Sequence, residues 1–100
     1  MNTVSLVTDV FLSKREALSL LAKTLRLPVK DTDSAEPWLA LEAGVALHIE
    51  VPKFGEDLPL TLDLSGGNRE QVEAASDSLT ATLMQTLGWN VARLAGEGAR

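Results

Sequence analysis

Hydrophobic and polar positions alternate along the first strand-like segment of the chain. From Thr3 to Leu12 the run TVSLVTDVFL is rich in apolar and β-branched residues, which predicts a β-strand. Successive side chains of a strand point to opposite faces, so Val4 and Leu6 lie on one face and Val7 and Phe11 on the other. Because both faces carry apolar residues, we expect a central strand, or a second face that meets a partner.

The spacing of apolar residues changes to a helical period after Ser13. Ser13 and Glu16 match the capping box, in which each side chain accepts a hydrogen bond from the other residue's backbone N–H. Apolar residues then follow at helical spacing as far as Leu25. Because proline cannot continue a helix, Pro28 limits this one, and a helix is predicted from Lys14 to Arg26.

A second helix is predicted near the end of the chain. Asn68 is a favourable N-cap residue, and Gly88 stands where a helix commonly ends in a left-handed glycine. Between them an apolar stripe recurs at helical spacing. Its members are Val72, Ala75, Leu79, Leu83 and Leu87.

Strand-like alternation returns between the two helices. The segment from Trp38 to Val51 predicts a short strand, a turn near Gly44, and a longer strand from Val45 to Val51. Further strands are predicted from Leu60 to Leu64 and, shorter, from Trp89 to Leu94. In the two longer strands the positions expected to face the core are Val45, Leu47, Ile49, Val51, Leu60, Leu62 and Leu64.

Two segments bounded by prolines predict loops, Pro28–Pro37 and Pro52–Pro59. The two tryptophans, Trp38 and Trp89, follow a proline and a glycine at the ends of predicted elements. Tryptophans in such places often close the rim of a core, and they are also common anchors at interfaces. The rim of the core is the favoured interpretation for both.

The predicted order of elements is strand, helix, two strands, helix, strand. This is the βαββαβ order of ferredoxin-like folds. Such a fold is a two-layer α+β sandwich, in which two helices cover one face of a mostly antiparallel sheet. Residues 1–95 are predicted to form a single domain, and residues 96–100 a flexible C-terminal tail.

The charge of the chain narrows the classes of partner. The sequence has 14 acidic and 9 basic residues, which gives a formal net charge of −5. Binding to nucleic acid or to an anionic membrane depends on clustered Lys and Arg, so neither partner is expected. A basic protein surface suits an acidic protein better.

Composition and motifs favour a non-enzymatic protein over an enzyme. The chain has no cysteine, which excludes disulfides and thiolate metal sites. No signal peptide or membrane-spanning segment is evident, so a cytoplasmic location is expected. The sequence carries no strong catalytic, metal-binding or nucleotide-binding motif, and we predict no cofactor and no metal.

Four ionisable residues are expected on the sheet face opposite to the helices: Asp9, His48, Glu50 and Asp63. In the ferredoxin-like strand order the strands of Asp9 and Asp63 are neighbours, with His48 one or two strands away. Two carboxylates and an imidazole suit a divalent metal or general acid–base chemistry. Residues scattered over strands form no metal-site motif, however, so an ordinary solvated face is the favoured interpretation.

Apolar residues share this uncovered face with the charges, which is typical of an interface. The sequence therefore predicts a small acidic interaction module that binds a protein partner, or itself as a homodimer. An inhibitor or immunity-type protein that masks a basic partner is one form of this function. The alternative is a regulatory domain that binds a small ligand through its two proline-bounded loops. The predicted interface residues are Val7, Phe11, His48, Glu50, Thr61 and Asp63.

Overall fold

The computed structural model describes residues 2–30, 37–41, 44–50 and 59–93. In chain order the elements are β1 (Asn2–Thr8), α1 (Lys14–Leu25), β2 (Val29–Lys30), β3 (Trp38–Ala40), β4 (Ala46–Glu50), β5 (Thr61–Gly66), α2 (Arg69–Thr82), a π-helical turn (Leu83–Leu87) and β6 (Val91–Arg93). Most of the two predicted loops, and the predicted tail at residues 96–100, lie outside the described residues.

The described strands form one six-stranded antiparallel sheet in the order β2-β3-β4-β5-β1-β6. With the two α-helices of the described residues, the fold is α+β, as predicted. The six-strand order differs from the predicted ferredoxin-like order of four strands. The difference arises because β2 and β3 pair with each other and extend the sheet beyond β4. A two-residue strand is too short to show alternation, so only its pairing reveals it.

Both helices pack on the same face of the sheet. Helix α1 buries Ala17, Leu18 and Leu21, and helix α2 buries Val72 and Leu79. These side chains share one hydrophobic core with the alternate, inward-facing residues of the strands. The predicted inward positions are confirmed where the structure describes them, and Val51 lies outside the described residues. The buried strand-side residues are Val4, Leu6, Leu39, Val45, Leu47, Ile49, Leu60, Leu62 and Leu64.

Helix α1 begins with the predicted capping box. Ser13 Oγ accepts a hydrogen bond from the Glu16 N–H at 3.1 Å, and Glu16 Oε1 accepts one from the Ser13 N–H at 3.1 Å. The helix ends one position earlier than predicted, because Arg26 takes a left-handed conformation with φ of 59°. Since the Arg26 N–H still bonds the carbonyl oxygen of Ala22, it caps the helix before Pro28 is reached.

Helix α2 begins at its predicted cap, where Asn68 Oδ1 accepts a hydrogen bond from the Gln71 N–H at 3.1 Å. The end of the predicted helix is a π-helical turn, Leu83–Leu87, which the sequence did not indicate. Gly88 then takes the left-handed conformation with φ of 70°, which confirms the predicted C-terminal glycine. Beyond it Trp89 enters the core and is 9% exposed.

Strand β1 ends at Thr8, short of its predicted end at Leu12. The buried Thr8 hydroxyl donates to the carbonyl oxygen of Leu60 at 2.8 Å and accepts a hydrogen bond from the Val10 N–H at 3.2 Å. The Leu60 N–H donates in turn to the Val10 carbonyl oxygen at 3.0 Å. Thr8 and Val10 therefore both form hydrogen bonds with Leu60. This irregular pairing of two residues with one ends the regular β1–β5 register. Strand β5, by contrast, runs on to Gly66, beyond its predicted end.

Candidate functional site on the open face of the sheet

The face of the sheet opposite to the helices is the candidate site, and we call it the open face. Its side chains alternate with the core positions along the strands. They are half-buried or exposed, whereas the residues between them are buried. The open-face residues that bear on function are Ser5, Val7, Lys30, Trp38, His48, Glu50, Thr61 and Asp63.

One line of open-face residues crosses five strands, and we call it the central row. Asp63 of β5 lies opposite Ser5 of β1 on one side and opposite His48 of β4 on the other. The β3–β4 register places Trp38 opposite His48, and Lys30 of β2 lies opposite Trp38. Directly opposite Cβ atoms in an antiparallel pair are about 4.5–5.5 Å apart, so neighbouring side chains of the row reach each other.

An aromatic stack lies within the central row. The ring centroids of Trp38 and His48 are 5.9 Å apart, and their planes are inclined by 19°. This placement overturns the prediction that Trp38 closes the rim of the core. Leu39 faces the core instead, with 0% exposure, and so turns Trp38 to the open face. The signal was present in the sequence, because side chains on either side of an inward Leu39 must point outward.

Two carboxylates lie beside this stack. Ser5 Oγ donates a hydrogen bond to Asp63 Oδ1 at 2.7 Å, which orients the Asp63 carboxylate. Glu50 is exposed and lies opposite Thr61, so it is the diagonal neighbour of Asp63, at about 7–8 Å. Within the part of the chain that the structure describes, neither carboxylate forms an ion pair. The open face is therefore acidic on the β5 side of the Trp38–His48 stack.

Asp9 lies away from the central row, so the structure does not bring it beside Asp63 as the candidate metal or acid–base site required. The position opposite Asp63 belongs to Ser5, and Asp9 follows the end of β1. The Asp9 carboxylate accepts hydrogen bonds from the side-chain amide of Asn90 at 2.7 Å and from the Asn90 N–H at 3.1 Å. These bonds, the side-chain one first, hold the pKa of Asp9 below its ordinary value of 3.8. Asp9 thus ties the end of β1 to the residues before β6.

The candidate grouping of Asp9 with His48 and Asp63 is therefore not formed. His48 and Asp63 are cross-strand neighbours, but the third member of the group is bound elsewhere. Among the residues that the structure describes, no three His, Asp or Glu side chains are grouped so as to hold a metal ion. The interpretation of this face as a metal or acid–base centre built on Asp9 is abandoned.

Most of the predicted interface residues lie together. Phe11 lies apart in the segment between β1 and α1, where it is 64% exposed, because β1 ends before the alternation reaches it. Ser5 and Lys30 also belong to the central row, and sequence reasoning missed them, since only the pairing of strands brings them there. The role of the predicted residues in an interface stays a prediction. Those on the open face are Val7, His48, Glu50, Thr61 and Asp63.

Two cavities bounded by described residues lie on the helix side of the sheet. One, of about 430 Å³, lies between the end of α1 and the side of α2 and is lined by Leu25, Leu27 and Ala75 among others. The second, of about 440 Å³, lies between α2 and β6, next to Met84 and Arg93. Neither is lined by a residue of the central row, so both are separate from the candidate site.

No protein-family model and no curated protein matches the chain. Among the described residues, no helix combines the length and the apolar character needed to cross a membrane. A function for the chain is therefore inferred from the geometry and chemistry of the open face.

Proposed function

We propose that this chain is a small acidic interaction module, which binds a partner protein or a second copy of itself through the open face. The observation that carries the proposal is the Trp38–His48 stack, which lies on the side of the sheet that the helices leave uncovered. Polar members of the central row flank the stack, and half-buried Val7 lies on the same face, two strands away from His48. Apolar and polar side chains mixed around an aromatic residue are typical of protein interfaces.

We further propose that β4, β5, β1 and β6 form a ferredoxin-like unit to which β2 and β3 are an addition. These four strands neighbour each other in that order, and one helix lies in each of the connections from β1 to β4 and from β5 to β6. The addition widens the open face and supplies Trp38 and Lys30. A fold of this kind does not by itself assign a function, but the added strands provide the aromatic part of the proposed interface.

Light scattering coupled to size-exclusion chromatography tests the self-association form of the proposal. Val7→Glu adds a charge on the open face and should convert any dimer to monomer. Ser19→Glu, on the exposed side of α1, is the matched control and should leave the mass unchanged.

Affinity purification with the same pair of variants tests the partner form. A partner retained by the wild-type protein and by Ser19→Glu, but lost with Val7→Glu, would support the open face. If both the mass and the retained proteins are unaffected by Val7→Glu, the proposal is wrong.

A second candidate function, binding of a small ligand, is favoured by the cavity of about 430 Å³ between α1 and α2. Ligand pockets usually measure about 300–1,000 Å³ and combine apolar walls with a few polar groups. Here Gln71 and Ser78 stand among leucines and alanines. A ligand that binds only the folded state raises the melting temperature, so thermal-shift screening of metabolites tests this candidate. Ser78→Trp should fill the cavity and abolish such a shift; a shift that survives it would exclude this cavity.

A further inference from the structure

We propose that the partner on the open face presents a basic surface, and that one of its arginine side chains docks on the central row. This inference rests on the proposed function and names the chemistry of the partner. The guanidinium of the arginine binds the carboxylates of Asp63 and Glu50. Its aliphatic stem packs beside the Trp38–His48 stack.

The negative charges of the open face favour a cation that the partner supplies. Within the described residues, Asp63 and Glu50 have no ion-pair partner. Lys30 is the cation at the end of the central row, but β3 and β4 separate it from β5. Three strand spacings amount to roughly 14 Å, which is more than a lysine and an aspartate side chain span together. Asp63 is thus out of reach of Lys30, and Glu50 forms no ion pair with it or with another described residue, so both carboxylates are available for a charge on the partner.

The orientation of Asp63 suits a guanidinium better than an ammonium. The Ser5 hydroxyl occupies Asp63 Oδ1 at 2.7 Å and fixes the plane of the carboxylate, while Oδ2 remains an acceptor. Glu50 offers a second carboxylate from the diagonal position. A guanidinium has five N–H donors in a planar fork and so bridges two carboxylates, whereas an ammonium acts as a point charge.

The aromatic stack strengthens the preference for arginine. A guanidinium is more weakly hydrated than an ammonium, so it loses less hydration when it binds the carboxylates next to the stack while its stem packs beside the rings. The stack stands directly beside Asp63 in the register, because His48 is the cross-strand neighbour of that residue. The arginine side chain needs to contact only the side of the stack that borders the carboxylates.

Charge also favours a basic partner over a second copy of this chain. Each copy has a formal net charge of −5. Two open faces packed together would bring the Asp63 and Glu50 carboxylates of both copies into one interface, and like charges opposed in an interface are unfavourable. A basic partner turns the same charges into an attraction that speeds association.

Nuclear magnetic resonance titration of the ¹⁵N-labelled protein with two peptides, hexa-arginine and hexa-lysine, tests the inference. The two peptides carry the same side-chain charge and differ in the cationic group. We expect the largest amide shifts at His48, Glu50 and Asp63, and tighter binding of hexa-arginine. Asp63→Asn and Glu50→Gln should each weaken binding of hexa-arginine by about fivefold, the value of one exposed ion pair.

Asp77→Asn is the matched control, because Asp77 is exposed on α2 and the substitution removes the same charge far from the open face. It should leave the affinity for hexa-arginine within about twofold of the wild-type value. Equal weakening by Asp77→Asn and Asp63→Asn, or equal affinity for the two peptides, would overturn the inference.

Two outcomes separate this inference from the proposed function. A dimer that dissociates with Val7→Glu, in a protein whose open face responds to neither peptide, would overturn the basic partner and retain the interaction module. A strict monomer with no peptide response at the open face, whose retained proteins are unaffected by Val7→Glu, would overturn both.

Discussion

The two faces of the same sheet differ in what their side chains contact. On the inner face Leu47 and Leu62 are 0% exposed and pack in a core with both helices. On the open face the intervening His48 and Asp63 contact other strand residues, through an aromatic stack and a hydroxyl hydrogen bond. Residues adjacent in the sequence therefore have separate roles. Substitutions on one face are expected to change stability, and those on the other to change binding.

The largest effect is expected from a pair of neighbours on β4. Leu47→Ala removes a fully buried side chain and should lower the free energy of unfolding by about 2–5 kcal/mol. His48→Ala loses a half-buried ring and its stack with Trp38, which should cost less than about 1 kcal/mol. Urea unfolding followed by circular dichroism measures both. Equal losses in the free energy of unfolding would show that the open face contributes as much to stability as the core, and would contradict the comparison.

The next effect comes from Gly66, the last residue of β5, and Gly67, which follows it. A Cβ added at Gly66 would lie 3.1 Å from Cγ2 of Val72 on α2, whereas nothing lies within 4 Å of one added at Gly67. Gly66→Leu should therefore overpack the inner face and destabilise the protein by about 1–3 kcal/mol. Gly67→Leu is the control, expected within about 0.5 kcal/mol of wild type. Similar denaturation midpoints for the two variants would contradict the tight contact between β5 and α2.

A smaller effect is expected from two threonines on opposite faces. Thr8 is buried and its hydroxyl bonds both Leu60 and Val10, so Thr8→Val should cost about 1 kcal/mol. Thr61 is half-buried on the open face, and Thr61→Val should change stability by less than about 0.5 kcal/mol. Thermal unfolding monitored by calorimetry compares them. A neutral Thr8→Val would mean that its hydrogen bonds contribute nothing net.

The smallest effect is a pH dependence from carboxylates that tie elements together away from the open face. Hydrogen bonds from Arg69 and then Arg93 hold the pKa of Glu73 below its ordinary value of 4.5, and Asn90 lowers that of Asp9 below 3.8. A carboxyl whose pKa is depressed by folding stabilises the protein above its unfolded value, and this is lost as pH falls through the folded pKa. The free energy of unfolding should therefore decrease below pH 4.5.

Glu73→Gln checks this pH dependence. Glutamine cannot ionise, so the variant should be less stable than wild type near neutral pH and should lose less stability on acidification. Denaturation midpoints measured at neutral pH and in acid give the comparison. A variant whose midpoint falls as steeply as that of the wild-type protein would assign the acid sensitivity to other groups.

Much of the fold could be predicted from local patterns. The Ser13 and Asn68 caps, the Gly88 terminus and the inward parity of β4 and β5 follow from chemistry within a few residues. Strand β2 could not be found this way, because two residues carry no periodicity and are defined only by pairing with β3. The early end of β1 could not be found either, since it depends on hydrogen bonds to a residue more than 50 positions away.

The candidate site was also predictable in part, because the face on which a strand residue lies follows from local alternation. Parity alone placed His48, Glu50 and Asp63 on the face away from the core, and the structure puts them there. Parity gives no information on which strands are neighbours, so it could not show that Ser5 binds Asp63 or that Trp38 stacks on His48. It also misplaced Asp9, whose side chain is bound by Asn90 at the far end of the chain.

The sequence by itself determined which side chains point inward and where the helices begin, because both depend on the alternation or hydrogen bonding of near neighbours. Only the tertiary structure decided the order of the strands and hence the membership of the central row. The physical reason is that cross-strand contacts join residues far apart in the chain, and their pairing is fixed by the register of the whole sheet. The chemistry of the open face comes from that register.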